Sequence, residues 1–339
     1  MSSDTQTAIH RSSPESVTEP MDSDELLRLR DMCGKFRILV IGRANAGKTT
    51  ICQMMCNTKD PPIVHDRNGN KIDIVPSSER GIHDINNEIT YEANPGFVFH
   101  DSGGFESGSS EEMKTVHAFI KARSEATTLK KQLHAIWICL LVDEDRLLLP
   151  TEMNFFNEGT DSAPVIAVFT KCDAQRTKIT KELKDKGINR TEIKEKLRDH
   201  VKKYLDGLVD WVKLEASFQP KGFVFMQDMH KELERAQPQC AKLIEKTSKA
   251  IDNIALQLLI VSVQQCNLKL VIKRAIHFIE HREKEGIISR IEKLVLGDNF
   301  NTFMSKKLKE ILIWFPHFYF VSLWISFLHF PELATSSTY

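Results

Sequence analysis

Phe36-Arg37-Ile38-Leu39-Val40-Ile41-Gly42-Arg43-Ala44-Asn45-Ala46-Gly47-Lys48-Thr49-Thr50 is the stretch that decides the fold. Its first half is a short apolar run closed by glycine, which predicts a buried strand. Its second half fits G-x-x-x-x-G-K-[ST] and leads into a helical pattern from Lys48 to Cys56. A strand, a glycine-rich turn and a helix in that order make a phosphate site. The glycines let the backbone curl without Cβ clashes, so several N–H groups converge on one anion. The helix aims its positive end at the same point. Asn45, Ala46, Gly47, Lys48, Thr49 and Thr50 are therefore the candidate nucleotide-binding residues of the loop. Lys48 would reach the β- and γ-phosphates, and the Thr49 hydroxyl would ligate Mg²⁺.

Further apolar runs follow at Gly96–Asp101, Ala135–Val142, Val165–Phe169 and Gly222–Phe225, and Glu88–Ala93 alternates like an edge strand. Helical patterns lie between them, including Glu111–Leu133 and a helix that carries Phe155 and Phe156. Alternation of this kind predicts an α/β fold, a mostly parallel sheet flanked by helices. Residues 60–88 read as one long loop. Residues 174–217 read as one helix, or as a pair broken near Gly187. From Gln175 to Lys203 they hold eleven Lys and Arg against five Asp and Glu, which suits a solvated face or a docking surface for an anionic partner.

Two more motifs sit at predicted strand ends, where ligands of such sheets bind. Asp101-Ser102-Gly103-Gly104 fits D-x-x-G, 53 residues after Lys48. Asp101 would hold Mg²⁺ through water, and the Gly104 N–H would reach the γ-phosphate. Lys48 and Gly104 are the candidate catalytic residues. Thr170-Lys171-Cys172-Asp173 fits [NT]-K-x-D. The Asp173 carboxylate can accept from both N1–H and the N2 amino group of guanine, and Lys171 can lie along the base. An unmatched base would leave that carboxylate unpaired, which discriminates strongly.

The three motifs in this order resemble the guanine-nucleotide domain of small GTPases. Asn45-Ala46-Gly47-Lys48 resembles the Era and TrmE class, and Thr170 is similar to its counterpart in Rac-type and immune-associated GTPases. Ser102–Phe105 together with Asp228-Met229-His230-Lys231 is similar to G-domain proteins predicted in fungi. The resemblance covers about residues 36–230. It implies a P-loop GTPase that cycles between GTP and GDP with Mg²⁺, helped by an activating partner or a homodimer. Three departures bear on that. No switch I threonine is identifiable, the candidates being Ser77, Ser78 and Thr90. Phe105 stands where Ras-like enzymes carry the water-positioning glutamine, so intrinsic hydrolysis should be slow. Met226–His230 replaces the third guanine-contacting motif. The alternative is an interaction module that holds GTP and scarcely hydrolyses it.

The rest of the chain sets the boundaries. A formal net charge of +0 offers no global field, so no nucleic-acid partner is predicted. Seven scattered cysteines with no C-x-x-C pair predict reduced thiols in a cytoplasmic protein. The expected organisation is a disordered tail at 1–25, a G domain at 34–232, a helical region at 238–310 and an apolar segment at 311–330. That segment has twenty residues without Asp, Glu, Lys or Arg, enough to span about 30 Å as a helix. Lys306, Lys307 and Lys309 precede it, which would put the G domain on the cytosolic face of a membrane. The alternative is a helix packed in a core or against a second copy.

Overall fold

The computed structural model describes residues 34–72, 84–103, 110–142, 150–160 and 162–264. The predicted tail, the segments 265–310 and 311–330, Ser77, Ser78, Gly104 and Phe105 lie outside them. Among the described residues no helix is long and apolar enough to cross a membrane.

One sheet organises the described chain. Its strands are β1 (Phe36–Gly42), β2 (Ile63–His65), β3 (Lys71–Ile72), β4 (Glu88–Tyr91), β5 (Asn94–Asp101), β6 (Ala135–Leu141), β7 (Val165–Thr170) and β8 (Gly222–Phe225). They run in the order β3-β2-β4-β5-β1-β6-β7-β8. The five from β5 to β8 in that order are parallel, and β3, β2 and β4 extend the sheet antiparallel. The predicted fold class therefore holds. The central strands β1, β6 and β7 are apolar on both faces because both faces are covered.

The helices are α1 (Lys48–Met55), α2 (Ser110–Ser124), α3 (Pro150–Glu158), α4 (Asp173–Asp185), α5 (Arg190–Glu215), α6 (Leu233–Ala250) and α7 (Ile254–Val263). Alternation along each strand divides the core. Phe36, Ile38, Val40, Phe99, Trp137 and Val168 pack with α1, α6 and α7. Leu39, Ile41, Ile138, Leu140 and Phe169 pack with α2, α3 and α5. Helices α6 and α7, beyond the predicted boundary at 232, share the apolar core of β1 and β6. Trp137, fully buried, donates from Nε1 to Thr247 Oγ1 of α6 at 3.1 Å.

Three expectations change. The long loop at 60–88 contains the β2–β3 hairpin. Its turn is closed by the Asp66 carboxylate, which accepts from the N–H groups of Asn68 and Asn70. Asn68-Gly69 was the turn signal in the sequence, but strands of two and three residues leave almost no period to detect. The helix predicted over 111–133 ends at Ser124 and is followed by a short 3₁₀ turn at Leu129–Lys131. Thr90 is no switch threonine: it is buried in β4, its hydroxyl donating to Ile63 O at 3.3 Å. For residues 174–217 the pair is observed. Helix α4 closes at Gly187, with Ile188 N donating to Leu183 O at 3.1 Å. Asn189 then caps α5, accepting from Thr191 N and Glu192 N.

Candidate nucleotide site

Strand β1 is central, with β5 on one side and β6 on the other. Its C-terminal end is thus the point where neighbouring connections diverge, and the glycine-rich loop leaves from there. Gly42 has φ +144, and a Cβ on it would lie 2.4 Å from Cys139 O of β6. Only glycine fits. Asn45 and Gly47 also have positive φ, of 61° and 81°. The loop turns on itself, with Ala46 N donating to Arg43 O at 3.2 Å. Helix α1 has Gly47 at its N-cap position, with no side-chain cap and no acidic residue in its first turn. That leaves its positive end facing the loop's concave side.

Lys48 Nζ donates to Gly42 O at 2.9 Å and to Arg43 O at 3.0 Å, and lies 3.8 Å from Asp101 Oδ1. Asp101 ends β5, opposite Val40 of β1, and accepts from Gly103 N at 3.3 Å. Lys48 and Asp101, predicted 53 residues apart in sequence, are thus neighbours in space. Thr49, in the first turn of α1, is exposed. A hydroxyl and a carboxylate are hard oxygen donors, which suit Mg²⁺. Among the described residues no cluster of three or more His, Cys, Asp or Glu could hold a metal ion by itself. A P-loop Mg²⁺ needs none, since phosphate oxygens and waters complete its shell. The residues present therefore fit the ion: Thr49 and Asp101 are the groups that would hold it.

The third motif sits beside the loop. A cavity of about 260 Å³ is lined by Gly47 and Thr50 on one side and by Thr170, Lys171 and Asp173 on the other, with Asp228, Met229 and His230 closing it. Lys171 has φ +54, which turns the chain sharply out of β7. Asp173 opens α4, and its Oδ1 accepts from Asp228 N at 2.9 Å. The loop after β8 is tied down as well: Cys172 N donates to Met226 O at 3.0 Å, and Lys231 Nζ pairs with Asp228 Oδ1 at 2.7 Å. Lys231 and nearby charges hold the Asp228 carboxyl below the usual carboxylate range. Of the segment Met226–His230, which stands where the third motif is missing, Asp228, Met229 and His230 thus line this cavity.

One feature had no signal in the sequence. Arg43, an unspecified position of the loop motif, forms a buried ion pair with Glu152 of α3, Nε to Oε1 at 3.1 Å. Their side chains are 7% and 0% exposed, so the loop is anchored to the helix layer beneath it. Cys52 and Cys139 flank the same region, and burial pushes both thiols up, Cys139 to about 12. Both are buried free thiols, as the sequence predicts.

Residues 37–171 match the family model described as 50S ribosome-binding GTPase. No curated protein matches the chain. Among solved structures, a variant of SsGBP is 17% identical, with 67% of this chain covered and a TM-score of 0.31. This chain spans 63% of that structure's length. The G domain of the T. maritima FeoB iron transporter is 14% identical, covering 64% of this chain and 98% of its own, with a TM-score of 0.30. A GDP-bound variant of S. thermophilus NFeoB is 14% identical, covering 81% and 97%, with a TM-score of 0.34. The sheet order and the loop geometry give the described chain the fold of a P-loop G domain, and the family-model match covers residues 37–171 of it.

Proposed function

We propose that this protein binds GTP with Mg²⁺ and hydrolyses it to GDP and phosphate in a switch cycle. The observation that supports this most is Lys48 beside Asp101 at the carboxyl ends of the parallel strands, next to a cavity lined by Gly47 and Thr50 of the same loop and by Asp173. In this reading the loop from Asn45 to Thr50 cradles the phosphates, and Lys48 neutralises charge that develops on the γ-phosphoryl group. Thr49 and Asp101 order the ion. Asp173 reads guanine with Lys171 along the base, and Gly104 contributes its N–H as the sequence predicts. Bound at Thr49 and Asp101, Mg²⁺ would supply charge neutralisation to the phosphates.

Analysis of nucleotide bound to the purified chain tests the reading. Guanine nucleotide should be recovered from the unaltered protein and not from Lys48→Ala. Asp173→Asn should lower preference for GTP over xanthosine triphosphate; unchanged preference would remove the base assignment. A second reading, a module that holds GTP with negligible hydrolysis, is favoured by Phe105 in the place of a water-positioning glutamine. Single-turnover phosphate release separates the two, and release no faster than buffer background would select the second. Attachment of this cytoplasmic domain to a membrane through 311–330 rests on that segment's lack of charge. Recovery in the soluble fraction with and without residues 311–339 would remove it. An activating partner or a homodimer is the expected source of faster turnover.

A further inference from the structure

Asp101 is the last residue of β5, and its position depends on how that strand end is held. On one flank β1 holds it, pairing Leu39 with His100 and Val40 with Asp101. On the other flank the ladder with β4 shifts register and reaches only Ile89 opposite Phe99. Beyond that pair a side chain joins the two segments. His100, fully buried, bonds through Nδ1 to Ile85 O at 3.0 Å.

The arrangement fixes the ring's tautomer. Arg37 Nη1 lies 3.3 Å from His100 Nε2, and a guanidinium can only donate, so Nε2 accepts. The proton is therefore on Nδ1, which donates to Ile85 O. The same Arg37 nitrogen donates to Glu88 Oε1 at 2.6 Å, at the start of β4. Phe119 of α2 packs on the imidazole with ring centroids 4.9 Å apart. Arg37, His100 and Glu88 thus stitch β1, β5 and the entry to β4 together, one residue before the carboxylate assigned to the ion. Losing the ring would leave Ile85 O without this donor in an apolar layer.

We propose that His100 is a positioning residue for Asp101, clamping the flank of β5 that the β4 ladder does not reach. The inference rests on the Mg²⁺–nucleotide reading of the site. The unaltered ring contributes no group to the nucleotide; it acts through the strand. Groups bonded directly to a metal ligand change metal affinity by about 10–100-fold when removed, and one that acts through the strand should fall at the low end of that range.

The test uses the full chain loaded with fluorescent GDP. Its release rate is measured in EDTA and across a Mg²⁺ titration, giving the Mg²⁺ concentration that half-maximally slows release. His100→Leu should raise that concentration about tenfold while leaving release in EDTA within about twofold. His100→Asn, whose amide can replace the Nδ1–H donor to Ile85 O, should stay close to the unaltered protein. His100→Gln reaches toward Arg37 but not Ile85, and should behave like the leucine variant; it carries the test if the leucine variant does not fold. An unchanged Mg²⁺ requirement in the leucine or glutamine variant overturns the proposal, as does an asparagine variant shifted equally far. Failure of the unaltered chain to bind GDP in either condition would sink the nucleotide reading instead, and this inference with it.

Discussion

Glu152→Ala removes one half of the buried ion pair that anchors the phosphate loop. At the observed 3.1 Å, Coulomb's law with an effective dielectric constant of about 20 gives roughly 5 kcal/mol of attraction. Desolvation offsets much of that while both charges are present. Once Glu152 is gone, Arg43 loses this buried carboxylate, and removing one partner of a buried ion pair costs about 3–5 kcal/mol. That is a large share of the roughly 5–15 kcal/mol typical of a whole domain. Urea unfolding without nucleotide, followed by the fluorescence of buried Trp137, reads the effect. With a slope of about 2 kcal/mol per molar, the midpoint should fall by roughly 2 M at constant slope. Replacing both partners by leucine should recover most of the loss, because two apolar side chains bury no charge. A midpoint shift under about 0.5 M in the single variant would refute the reasoning. So would a double variant as unstable as the two single losses added together, since that would mean no coupling between the pair.

Two other outcomes follow from the geometry. Gly42→Ala places a Cβ 2.4 Å from Cys139 O at φ +144, so either β1 or β6 must shift; guanine nucleotide should no longer co-purify, and retention at the unaltered stoichiometry would contradict the loop geometry. Acid should destabilise the fold through two buried imidazoles. Burial holds His100 down at about 3 and His134 at about 4, against 6.5 in the unfolded chain. Between those values the unfolded chain binds protons that the folded one does not, so stability is full above about pH 6.5 and is lost as pH falls. From pH 7.5 to 5 each histidine should cost about 2 kcal/mol, measured as a falling urea midpoint; a flat midpoint over that range would contradict both assignments.

Much of this site was legible in the chain because its chemistry is local. A loop that curls around phosphate needs glycine at Gly42 and Gly47 within a few residues of Lys48, and that spacing survives in one dimension. Asp101 and Asp173 could be placed because apolar runs deliver them to strand ends. Other features left no local trace. The β2–β3 hairpin is too short to show a period, and Thr90 sat in the expected region yet packs into the sheet.

The sequence by itself determined the α/β class and the order of the central strands' motifs, and it named the candidate groups for phosphate, metal and base. Those depend on periodicity and on contacts between near neighbours. Only the tertiary structure decided that Arg43 meets Glu152, 109 residues away, and that α6 and α7 cover the same sheet as the P-loop. It also decided that His100 reaches across to Ile85 where the ladder stops. Each of these pairs residues whose spacing follows from how strands are ordered in the sheet, and no pattern along the chain encodes that distance.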